Sequence, residues 1–368
     1  MTSDRIDALA RAAVTNAGTP AERSPDPEDG SECAISLSTS SRDGIVALVE
    51  GKGWRWAHSA LDTAGFTKTA DGHRCLPLTG EDLGHTRDAL HTLGLLTQRA
   101  GVRVTASTTL YIGDFARDLS EHLPGHWDVT VESYALPTWQ GDLASWMWSP
   151  SLKEALNQRR VPRAAMLKHS DGTELAIIED LRADRFHVGA LHPKNLFADG
   201  LVTPPAGVTV CSTPAVAAAD ITSRLLPAYT RAVLHRQVNA VEQDLDWIRR
   251  SHPDADARGP LPVAIVEAFV RFSESGPRIC GTVRRVGVLA QDDVAVLQQI
   301  NDVVADPAVG PRPELVNWWL RGAGDRLVAL ARRAVPDAEP TAEPSRPAVG
   351  PAPVLPPTSG PGPSNAHR

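Results

Sequence analysis

The chain has 368 residues, 42% of them hydrophobic and 22% charged, with a formal net charge of -7. This is the composition of an ordinary globular protein, and the negative balance excludes one that coats nucleic acid or an acidic membrane through bulk electrostatics. No apolar stretch approaches the ~20 residues needed to cross a bilayer, the first residues lack a signal-type apolar run, and Cys33, Cys75, Cys211 and Cys280 lie far apart without metal-finger spacing, all as expected of a cytoplasmic protein.

The length exceeds one usual hydrophobic core, so the chain is divided into segments. Residues 1–42, rich in Pro, Ser, Glu and Asp, and the tail 336–368, with ten of the thirty prolines, are expected to be disordered because they carry too little apolar surface to offset ordering entropy. Between them the pattern predicts an α+β domain over 43–213 and a helical domain over 214–335.

In the first of these, 45–49 reads as a short buried strand and 54–64 as a helix closed by Gly65. Strands at 66–69 and 73–78 flank Asp71-Gly72, a dipeptide suited to the positive φ of a hairpin turn. An amphipathic run to Ala100 and a strand at 102–106 complete the order β-α-β-β-α-β, a ferredoxin-like start. A helix over 114–122 and a strand over 127–134 follow. Strands at 164–167 and 174–178 surround Asp171-Gly172, and 186–190 and 208–211 add two more, so an antiparallel sheet is expected to extend the first.

From residue 214 the texture is helical. Leu234, Val238, Val241, Leu245 and Ile248 form an apolar seam on a helix that Pro227 is expected to kink near its start. After a linker over 251–262, helices are predicted at 263–272, 292–304 and 313–334.

Little of this carries recognisable chemistry. No phosphate-binding glycine loop is present, Gly51-Lys52-Gly53 being too short to specify a nucleotide, so no cofactor is expected. Asp43, Glu50 and Lys52 have the order of a metal-nuclease triad, but a seven-residue strand separates the two acids by about 23 Å, too far to share a metal. His122 and His126 have i,i+4 spacing that Pro124-Gly125 interrupts, and no metal site is expected. Asp114, Glu132 and His187, with Glu179, Asp180 and His192 nearby in sequence, are the available acid or base groups.

The densest feature is aromatic. Nine tryptophans stand against three tyrosines and six phenylalanines, and Trp139, Trp146 and Trp148 crowd into one stretch. Arg159, Arg160, Arg163 and Lys168 follow without an intervening acid, so indoles and basic groups together define a candidate binding surface. At least two of the three indoles are expected to enter the core, leaving the third beside the arginines.

Gly53-Trp54-Arg55-Trp56, Gly65-Phe66, Tyr111 to Asp114, Leu123 to Trp127, Tyr134, Trp139, Gln140, Asp142 and Leu226 to Tyr229 give residues 45–235 a texture that resembles an uncharacterised actinobacterial protein family with no assigned activity. The resemblance implies a bacterial cytoplasmic setting and no biochemical role. The residues themselves point to a non-catalytic binding or regulatory module that engages a protein or nucleic acid through the Trp/Arg surface. Two alternatives stand beside it: an enzyme with an acid/base site between the domains, and a structural homo-oligomer built through the 234–248 helix.

Overall fold

The computed structural model describes residues 33–69, 71–78, 83–107, 111–180, 185–194, 202–252, 261–304 and 312–335. The expected tail at 336–368, the first 32 residues and most of the 251–262 linker lie outside the described residues. The fold is α+β, strand-rich in its first part and helical after it.

The first sheet has the order β3-β4-β2-β1-β5, built from β1 (Ala34–Ser40), β2 (Gly44–Glu50), β3 (Thr67–Lys68), β4 (Arg74–Leu76) and β5 (Arg103–Ala106). The helices α1 (Trp54–Thr63) and α2 (Leu83–Ala100) cover the face that carries Ile35, Leu37, Ile45, Ala47 and Val49. Without β1, the strands β2, β3, β4 and β5 would have the ferredoxin-like order, with β3 and β2 flanking β4. The strand β1 enters this sheet as an insertion, antiparallel to β2 and parallel to β5.

This corrects the expected disorder of 1–42 for its described part, residues 33–42. Ile35 and Leu37 alternate with Ser36 and Ser38, a two-residue period that the surrounding Ser-rich composition disguises. The Asp71-Gly72 and Asp171-Gly172 signals hold. Each glycine has positive φ, 88° and 91°, in a turn joining antiparallel strands.

The antiparallel strands that follow form a second, separate sheet of order β10-β9-β8-β7-β6, from β6 (Trp127–Ser133), β7 (Arg163–His169), β8 (Glu174–Asp180), β9 (Arg185–Ala190) and β10 (Val208–Cys211). Between β6 and β7 the chain inserts α4 (Pro137–Trp146) and α5 (Pro150–Gln158), which pack on the face bearing Ala164, Ala176 and Ile178. The helix α3 (Ile112–His122) is shared by the two sheets. Its Ile112, Phe115 and Leu119 fill the space between Val46 and Leu48 of the first sheet and Leu167, Ile177 and Val188 of the second. Phe115 stacks on Phe186 with ring centroids 3.8 Å apart.

Helix α6 (Pro214–Asp220) runs through a wider turn at Ile221–Leu225 into α7 (Leu226–Ser251). The widening has a local cause, since Pro227 has no N–H to donate to the carbonyl four residues back and its ring crowds that carbonyl. The two cores meet within α7. Tyr229 and Ala232 belong to the core of the second sheet, whereas Leu234, Val238, Val241, Leu245 and Ile248 belong to a helical core with α8 (Val263–Val286), α9 (Gln291–Val304), α10 (Pro313–Trp318) and α11 (Gly324–Ala334). The expected domain boundary at 213/214 therefore does not coincide with a change of core. The apolar seam is consumed inside the chain, all five side chains being buried. The helix expected at 263–272 continues to Val286 past Pro277.

Candidate functional site

The tryptophan segment is helical, and that decides where its indoles point. Pro137 starts α4 at a position where its missing N–H costs nothing. Helical spacing then places Trp139, Asp142, Leu143 and Trp146 on one face, at i, i+3, i+4 and i+7. Leu143 is buried, while Trp139 is 37% and Trp146 58% exposed. After the helix the chain extends through Met147, which pairs with Leu191, and the Trp148 N–H donates to the Ala190 carbonyl at 2.9 Å. Trp148 is thereby drawn into the core, 5% exposed, edge-on to Tyr229 and beneath the Arg236 guanidinium at 5.3 Å. Only one of the three indoles is buried, and the expectation of at least two is corrected.

The exposed face of α4 forms one wall of a cavity of about 660 Å³, a volume typical of small-molecule sites. Trp54 and His58 of α1, the turn residues Asp71 to His73, and Val131 to Tyr134 along β6 and just beyond it complete much of the lining. Trp54 meets Trp139 edge to face with centroids 5.5 Å apart. His73 ties the two sheets together here. Its Nε2–H donates to the Val131 carbonyl at 2.7 Å, because a carbonyl can only accept, and its Nδ1 lies 3.2 Å from the Ser133 hydroxyl, from which it accepts.

The lining includes four carboxylates, Asp71, Glu132, Asp142 and Glu174, against one lysine, Lys194. Lys194 is 2.6 Å from Glu174, and Asp71 lies 3.4 Å from Arg117. Glu132 accepts a hydrogen bond from the Tyr134 hydroxyl at 2.8 Å. Burial, together with the Glu132 charge, raises the Tyr134 phenol well above its ordinary value, so it remains a donor. The Asp142 carboxylate has no partner among the described residues. Burial lowers the pKa of His58, His73 and His192, with neighbouring cations adding to the effect, so these rings are neutral at neutral pH.

The basic residues lie elsewhere. Arg159, Arg160 and Arg163 line a separate concavity with Glu179, Asp180 and His187. The Arg163 guanidinium forms a two-pronged pair with Glu179 at 2.9 and 3.0 Å, the side chains being 6% and 9% exposed. Arg159 is 3.5 Å from Asp180. Arg160 donates to the Gln140 side-chain oxygen at 3.0 Å and to the Tyr134 carbonyl. Arg163 and Arg160 are thus committed to an acid and to oxygens of the protein, whereas the Nε and Nη2 of Arg159 have no hydrogen-bond partner among the described residues. Lys168 is exposed on β7 and lines a third concavity with Arg278 and Arg285 of α8. Indoles and basic groups, adjacent in sequence, thus do not form one surface.

The acid/base candidates are also dispersed. Asp114 sits in the first turn of α3, 7% exposed, and accepts from the Ser40 hydroxyl at 2.7 Å, the Ser41 N–H at 2.5 Å and the Ser41 hydroxyl at 2.9 Å. It pins the β1–β2 turn to the shared helix. Glu132 lines the indole cavity and His187 the arginine concavity. His187 lies between Thr209, 2.9 Å from Nδ1, and Asp180, 3.4 Å from Nε2, as a cross-strand neighbour of Thr209 on one sheet face. Its pKa is lowered, first by burial and then by Arg159. Asp43 and Glu50 lie at opposite ends of β2, and among the described residues no group of three or more His, Cys, Asp or Glu side chains could hold a metal ion. Nor is any helix of the described residues long and apolar enough to cross a membrane.

Trp54, His58, His73 and Asp142 line the cavity but are not among the candidate binding residues of the sequence, where Trp54 and Asp142 enter only through the resemblance. The spacing of Trp139, Asp142 and Trp146 is itself a legible helical signal once the segment is read as a helix. Trp54 and His73 come from another sheet and carry no comparable local mark. No protein-family model matches the chain, and no curated protein or solved structure shows significant similarity to it.

Proposed function

We propose that this protein is a non-catalytic binding module whose ligand, a small molecule or a side chain of a partner protein, occupies the indole-walled cavity. The observation that carries the reading is the pair Trp139 and Trp146, large apolar side chains left exposed on a helix face that closes a concavity of about 660 Å³. Leaving such surface in water forgoes about 25 cal/mol per Å² of burial, and ligand sites are where aromatic walls recur. Arg163 and Arg160 do not favour a nucleic-acid form of this function, because their guanidinium groups are already bonded within the chain.

A thermal-shift screen with a fragment collection tests the reading on the full chain. A ligand that binds only the folded state raises the unfolding temperature. Hits are expected whose effect disappears in Trp139→Ala and Trp146→Ala. If every hit acts equally on both variants, the cavity is not the binding site and the proposal is withdrawn.

A further inference from the structure

We infer that the cavity selects an organic cation, specifically an alkylated ammonium group; this rests on the binding reading above and narrows it to a ligand class. Three observations converge. Asp142 lies between Trp139 and Trp146 on one helix face, within a turn of each, and its carboxylate has no partner among the described residues. The lining carries four carboxylates and one lysine, and two of those carboxylates, Glu132 and Asp142, are in no ion pair among the described residues. The indole faces supply the remainder, since a π face attracts a cation and the alkyl groups of an alkylated ammonium bury against the ring. Trp54 already accepts such a contact, with the Arg55 guanidinium 5.0 Å from its ring centroid.

An anion would meet repulsion from Glu132 and Asp142. A neutral ligand would cover the indoles but leave the Asp142 charge partly desolvated without a counter-charge, a cost that a cation avoids. A primary ammonium fits less well than an alkylated one, because it gives up a tighter hydration shell and brings no apolar surface to the rings.

The test uses the full chain labelled with fluorotryptophan, fluorine NMR, and assignment by single Trp→Phe variants. Choline and tetramethylammonium are titrated at constant ionic strength against the uncharged tert-butyl isostere of choline. The cations are expected to move the Trp139 and Trp146 resonances and leave that of the buried Trp319 in place. The isostere should bind about tenfold more weakly, the scale of a partly desolvated cation–π contact. Asp142→Asn should weaken choline about fivefold, an ion-pair-sized effect at a half-open site. Its urea midpoint should stay unchanged, showing that the fold is intact.

Equal binding of choline and the isostere overturns the cation assignment while the binding-module reading stands. Binding by neutral fragments but by neither cation has the same consequence. If no compound of either kind moves Trp139 or Trp146, both readings fall.

Discussion

Trp54 and Trp139, one at the start of a helix on the first sheet and the other on a helix inserted into the second, meet edge to face with ring centroids 5.5 Å apart. Their contact joins the two halves of the α+β region at the cavity, so an indole that belongs to neither sheet's core becomes part of a shared wall. Neighbouring tryptophans in one segment therefore have different tasks, and these can be separated by mutation.

Trp148→Ala should cost about 3–5 kcal/mol, the scale for truncating a buried large aromatic. Trp146→Ala, which removes a mostly exposed ring, should stay within about 0.5 kcal/mol of the parent. Urea unfolding of the two variants measures the difference. Equal destabilisation would mean that Trp146 is packed rather than presented.

Asp114 is expected to act in folding. Asp114→Asn replaces a charge that accepts from Ser40 and Ser41 and turns an amide N–H₂ toward their donors. A loss of about 2–3 kcal/mol should follow, with ligand binding at saturating folded protein unaffected. A variant as stable as the parent but unable to bind would contradict the pinning role.

Stability should fall as the pH drops below about 6.5, where unfolded histidines begin to protonate. Burial, partly opposed by the hydrogen bond to Val131, holds His73 below that range, and His58, His187 and His192 are lowered as well. In the window between the lowered folded values and 6.5 the unfolded chain binds more protons, so acidification favours unfolding, by at most about 1.4 kcal/mol per pH unit for each proton. Paired carboxylates such as Asp62 and Asp171, also lowered, contribute only in a more acidic window. Urea midpoints at pH 7.5 and 5.5 should differ less in His73→Gln, whose amide can donate to Val131 without titrating. An unchanged pH dependence in that variant would remove His73 from the account.

Arg163→Ala should destabilise by about 3–5 kcal/mol, because Glu179 is left buried without its counter-charge. On immobilised nucleic acid, a variant with Arg159 and Arg160 changed to Gln should be retained like the parent. Salt-dependent retention that differs sharply between the two would restore the arginines to a binding role.

Leu245→Ala should cost about 2–5 kcal/mol, and the unfolding midpoint should not depend on protein concentration, since the seam packs on helices of the same chain. A midpoint that rises with concentration would instead place a second copy on the seam.

Much of the fold could be read locally. The two Asp-Gly turns, the alternation of 127–133 and the heptad from Leu234 to Ile248 are short-range patterns, and each became the predicted element. The strand β1 was equally periodic in Ile35 and Leu37, but a serine-rich setting made its composition outweigh its period. The site was legible only in part. Trp139 and Trp146 were visible as a cluster, whereas Asp142 becomes meaningful only when the segment is helical and all three residues fall on one face.

The sequence by itself determined which stretches alternate, which wind at helical period and where tight turns fall, because these depend on neighbours a few residues away. Only the tertiary structure decided that Trp148 is core while Trp146 is wall, that Arg163 is paired with Glu179 and Arg159 faces Asp180, and that Trp54 and His73 join the cavity. Exposure and charge pairing are set by what lies across a sheet or beyond a helix, and those neighbours are brought together only when the distant strands pair.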